Sequence, residues 1–289
     1  MSESIFYYDT IDIPDKGINR FKRILSSCFM FLSAYVIANM THHLFLGLFS
    51  WMLGYDTKLG FHYVSSSPYE YERWSGPRVL FMYATTPFIC LIFAYLIYWL
   101  VLQNTETINR LRLFFFWLQA CFINVFITQL FIIPMGSSPR FATGFYQTFA
   151  IVATWFKLPS AVFIVTTLIA GVLAIIWGYV MAPEIQRFSF SSRLVQTNSG
   201  KNKIALQVYL LPLLLSMPAV IWFSNTMSFL LHVLLLSLFF LPWLGIFIRH
   251  RRDMGIVRCN KADVLNHWPL AEFALMLVLW TIAVIFFDK

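Results

Sequence analysis

The residues best placed to do chemistry, Asn39-Met40-Thr41-His42-His43, stand inside a long apolar run. Polar groups at membrane depth are costly to desolvate and are functional candidates by default. Imidazoles ligate metals and move protons near neutral pH. His42 and His43 are adjacent, so on a helix they project about 100° apart and do not converge on one metal. Asn39 and His43, at i and i+4, share a face. Hydrogen bonding to neighbouring helices is the structural alternative. A second patch, Asn124, Thr128 and Gln129, suits a neutral solute or helix-to-helix bonding. His232, on a later apolar run, could oppose His42 or His43 as a haem axial pair. The four cysteines, Cys28, Cys90, Cys121 and Cys259, form neither a paired framework nor a CxxC site and read as packing residues.

Composition says which elements must position these groups. Only 34 of 289 residues are charged and 59% are hydrophobic, too little charge to cover a water-facing surface. About 20 apolar residues cross a bilayer core as a helix. Seven such runs are present, over 27–53, 79–101, 113–134, 159–181, 204–224, 227–248 and 269–287. Alternating barrel-type strands do not appear. The pattern predicts an all-α polytopic membrane protein of about seven transmembrane helices. Acidic residues precede Lys16, Arg20, Lys22 and Arg23, unlike a cleavable leader, so the first span is expected to remain as an anchor.

Charge placement predicts orientation. With the N-terminus inside, the inner segments hold 15 of the 21 cations, as the positive-inside rule requires. The N-terminus is therefore expected in the cytoplasm and the C-terminus across the membrane. The basicity reads as a topology signal with some attraction to membrane lipids, and nucleic acid is not an expected partner.

Three parts are expected: a cytoplasmic segment 1–26, a first membrane half 27–158 and a second half 159–289. Residues 135–158 are too short to span and too apolar for water, so they predict a short re-entrant or interfacial helix. The loop 54–77 suggests a hairpin, LGYD then LGFHYV, lying on the membrane with Tyr55, Tyr63, Tyr69, Tyr71 and Trp74 as an interfacial belt. Ala170, Gly171, Ala174 and Gly178 offer a smooth face for another helix, from this chain or another subunit. The halves show no internal repeat of the kind inverted-repeat transporters carry.

In order and spacing, residues 35–150 resemble the site-2 protease family of intramembrane zinc metalloproteases. The matching elements are Asn39 through His43, the hairpin-like loop, Trp74-Ser75-Gly76-Pro77, and Asn124 through Pro134-Met135-Gly136. The resemblance implies a zinc site on HExxH, but only His43 fits a ligand position. Asn39 stands for the first histidine and Met40 for the catalytic glutamate, and the turn after Pro134 supplies no aspartate. Hydrolysis needs three protein ligands and a general base. The resemblance therefore implies an inactive derivative, and no cofactor is expected.

Three functions remain in view. The favoured one is a non-catalytic accessory or scaffold subunit among other membrane protein subunits, a pseudo-protease. The others are a metalloprotease-like enzyme with an atypical site, and a carrier or lipid-handling protein using Asn124 or Gln129. No Asp, Glu, Lys or Arg stands at mid-span, where ion-coupled carriers place them. Arg112 and Glu272, near span ends, are expected to reach the interface by snorkelling.

Overall fold

The computed structural model describes residues 17–59, 64–67, 75–103, 109–136, 148–189, 195–223, 239–251 and 268–287. Helix α1, Gly17–Met52, is 36 residues long and begins well before its apolar run. At 1.5 Å per residue it is about 54 Å long, well beyond a 30 Å hydrocarbon core. Its end is set by Gly54, at φ +79°. Gly54 N donates to Trp51 O and Tyr55 N to Ser50 O, a glycine-capped stop that satisfies the last carbonyls.

That stop shifts the hairpin along the chain. Its strands are β1, Asp56–Leu59, and β2, Val64–Ser67, paired antiparallel, and not LGYD and LGFHYV. Residues 53–55 are used to close the helix, so pairing starts only at Asp56. Tyr63, Tyr69, Tyr71 and Trp74 lie outside the described residues.

Helix α2, Gly76–Leu102, carries Pro77 in its first turn and widens into π-helical turns at Leu80–Ala84 and Tyr98–Leu102. Helix α3 is Asn109–Gly136 and α4 is Thr148–Trp155. The short α4 falls within the segment expected to be re-entrant, of which residues 137–147 lie outside the described part. It ends on Lys157, at φ 49°, with Lys157 N bonded to Thr154 O and Leu158 N to Ala153 O. Pro159 then opens α5, Ser160–Gln186.

Helix α6 starts at Asn198, capped by the Thr197 side chain, which accepts from Gly200 N. It passes through a π-turn, Leu206–Leu210, into Leu211–Phe223. Helices α7, Leu241–Arg251, and α8, Leu270–Phe287, complete the described fold. Among the described residues, five helical stretches are long and apolar enough to cross a membrane: Ile18–Met52, Gly76–Leu102, Arg110–Phe131, Ser160–Gln186 and Asn198–Trp222. The run 227–248 is described only from Phe239 onward, and His232 lies outside the described residues.

The core is aromatic. Trp117 on α3 stacks on Tyr209 of α6 at 5.2 Å and 9°, and Phe31 of α1 meets the Trp117 ring edge-on at 4.9 Å. Close helix approach comes from glycine. A Cβ at Gly178 would collide with Pro242 O, and one at Gly245 with Ile175 O, so α5 and α7 touch backbone to backbone. The small-residue stripe therefore finds its partners within the chain. Ala170 and Ala174 are buried with Ile127 of α3, against Leu241 of α7. Gly171 does not share that contact, since a Cβ there would meet nothing within 4 Å.

Candidate functional site

The expected polar residues fall into two neighbourhoods. His42 is buried on α1, and its ring centroid lies 5.4 Å from that of half-buried His43. His42 Nε2 is buried and accepts or donates no hydrogen bond among the described residues. On α3, Asn124 Nδ2 donates to Thr128 Oγ1 at 3.3 Å, and Gln129 is buried. Phe31 and Ser27 of α1 both meet Trp117 of α3. Counting along these two parallel helices places His42 and His43 at about the depth of Thr128 and Gln129.

Zinc is not a fit to these residues. Among the described residues, no group of three His, Cys, Asp or Glu side chains could hold a metal ion. The neutral amides of Asn39, Asn124 and Gln129 do not replace them, since zinc takes imidazole, thiolate and carboxylate.

The denser polar site lies at the opposite end of α1, and the sequence reading did not find it. Arg112, 1% exposed, donates through Nε and Nη2 to Glu184 Oε2 at 3.1 and 2.9 Å. Its Nη2 also donates to Leu102 O, the last carbonyl of the second π-turn, and Arg187 Nη1 reaches the same oxygen at 3.2 Å. Arg187 Nη1 also lies 3.1 Å from Glu184 Oε1. One carboxylate and one carbonyl thus join the ends of α2, α3 and α5. Arg112 and Glu272 are not snorkelling. Glu272, 2% exposed, accepts from Ser26 of α1 at 3.3 Å and pairs with Arg110 of α3 at 3.3 Å. Arg110 and Arg112 each lie within ion-pair distance of a buried carboxylate, and Coulomb attraction in a poorly solvated site favours that partner.

Prolines create the remaining acceptors. Pro212 has no N–H, so Val208 O lacks its intrahelical donor, and Ser27 Oγ supplies one at 2.6 Å. Ser27 in turn accepts from Trp117 Nε1 at 2.8 Å. Near Pro242, Trp243 N bonds Phe240 O, and the Tyr209 hydroxyl donates to Phe239 O at 2.6 Å. Arg23 Nη1 donates to Gln207 Oε1 at 2.8 Å from the π-turn of α6. These contacts bring the starts of α1, α3, α6 and α8 and the ends of α2 and α5 to one end of the bundle, which the end of α7 joins through His250.

Compared with models of protein families, with curated proteins and with solved structures, the chain matches none. What the site does must be read from its own geometry.

His250 shows how that geometry works. Gln186 Nε2 donates to Lys201 O at 3.2 Å and lies 2.8 Å from His250 Nε2, while His250 Nδ1 lies 2.7 Å from Asn202 Oδ1. The only consistent pattern makes His250 Nε2 an acceptor and Nδ1 a donor, so the ring is neutral. Burial, and then the Lys201 ammonium, push its pKa down to about 4. The folded value lies below the unfolded one, near 6.5. Neutral His250 thus contributes stability that is complete above about pH 6.5 and is lost as pH falls toward 4. Thermal midpoints are expected to fall across that window, and His250→Gln to fall less. Parallel profiles for the two proteins would contradict this.

Sequence signals for the site existed. Glu184 is the lone acid among four cations in 182–203, Glu272 is the lone charge in the apolar run 269–287, and Pro212 and Pro242 mark where carbonyls must look beyond their own helix.

Proposed function

We propose that this chain is a seven-span integral membrane protein serving as a non-catalytic accessory or scaffold subunit of a larger membrane complex. The seven spans are the five long apolar helices, the run ending in α7, and α8. The basic end faces the cytoplasm and the C-terminus the other side, since cations collect at the inner ends of spans.

One observation carries the reading. The buried charges of the polar site are spent on joining helices: Arg112 ties Glu184 of α5 to the Leu102 carbonyl of α2, and Glu272 ties α1, α3 and α8. A general base or ion-coupling carboxylate must exchange protons with substrate or water, whereas Glu184 is held by two guanidinium groups. Such ties make a rigid body with broad apolar outer faces, the form of a part that other subunits pack against. On this reading the resemblance to site-2 proteases is that of a pseudo-protease, with Met40 in place of the general base.

Extraction in native-lipid nanodiscs followed by intact-complex mass measurement tests this. The expected result is this chain with the same second polypeptide at fixed stoichiometry from repeated preparations. A chain that runs alone with lipid would overturn the reading.

A further inference from the structure

The basic end also carries an apolar seat that the helix ties do not use. Along α1, Ile18 and Phe21 are more than half exposed, and Lys22, Leu25 and Phe29 continue the same face at helical spacing. Helix α8 runs beside it. Trp268 is 54% exposed, with the Lys22 ammonium 5.2 Å from its ring centroid, and Phe273 packs on Phe29 at 5.2 Å.

We propose that this α1–α8 face binds an anionic phospholipid, its phosphate at Lys22 and Trp268 and an acyl chain along Leu25, Phe29 and Phe273. Three features converge on that chemistry. From Lys22 to Phe29 the seat changes from cationic to apolar within two helical turns, as a phospholipid changes from headgroup to chain. An indole beside an ammonium suits the headgroup level, where one edge is wet and the other apolar. And the charge is complementary: over the full sequence the expected inner segments and adjoining span ends hold 15 Lys and Arg against nine Asp and Glu. Leu270 is 74% exposed at the same level, so the apolar surface continues around the seat. The proposal stands on this surface alone and does not require a partner subunit.

The test is lipid retention by the purified full-length chain, measured by native mass spectrometry after reconstitution with equal phosphatidylglycerol and phosphatidylcholine. Phosphatidylglycerol is expected to be retained preferentially. Lys22→Gln is expected to lower that preference about fivefold, the factor one cation contributes at an anionic surface. Lys58→Gln, on the hairpin at the other end, should leave it unchanged. Equal retention of the two lipids would overturn the proposal. So would equal losses from Lys22→Gln and Arg251→Gln, which would assign the preference to the whole basic end. Lys22 is half-buried at the surface, and unchanged thermal midpoints confirm that the variants fold.

Discussion

Glu184→Ala is expected to destabilise the protein by about 3–5 kcal/mol, the range found when one partner of a buried ion pair is removed. The loss falls on Arg112. Its guanidinium is 1% exposed, and without the carboxylate its charge is left uncompensated against the cost of desolvation, with the Leu102 carbonyl still accepting from it. Arg187 loses its counter-charge as well. Replacing both members with apolar groups leaves no buried charge, so Arg112→Met combined with Glu184→Leu is expected to be milder than Glu184→Ala alone. Thermal or denaturant unfolding in nanodiscs measures both. A double variant as damaged as the sum of the two single variants would show that the pair acts independently, contrary to the tie described here.

Gly178→Ala and Gly245→Ala should each cost at least the ~1–3 kcal/mol typical of overpacking, because the added methyl meets backbone and not a movable side chain. Pro242 O and Ile175 O can retreat only if α5 and α7 separate. Gly171→Ala is the matched control on the same helix. A Cβ there meets nothing, and alanine is favoured over glycine in a helix by about 1 kcal/mol, so that variant should be neutral or stabilised. The three variants change the same atoms, and only the neighbours differ. Unfolding midpoints that do not separate Gly171 from the other two would contradict the close α5–α7 contact.

The helices were legible in the sequence because a bilayer-length apolar run leaves little else possible. Their ends were not. Helix α1 already includes 17–26, ahead of its apolar run, because a segment mixing Ile18 and Phe21 with cations can lie along a helix face and still reach the boundary. Gly54 moved the hairpin because its left-handed φ serves the helix stop and not a strand. The stripe at Ala170, Ala174 and Gly178 was visible as spacing, but its partner required Pro242 and Gly245 from a helix more than 60 residues away. The polar ties were hidden for the same reason. Arg112 and Glu184 are 72 residues apart, and Ser26 and Glu272 are 246 apart, so no local pattern pairs them. Local spacing did draw attention to Asn39, His42 and His43, which share one stretch of α1 and, among the described residues, belong to no group of three metal-ligating side chains.

The central claim is that the polar residues of this bundle hold helices together and do not carry a hydrolytic metal. Elemental analysis of the full-length chain, purified without chelators, tests it most directly. The account predicts zinc well below one atom per chain and no change in His43→Ala. One zinc per chain, lost in His43→Ala, would contradict it.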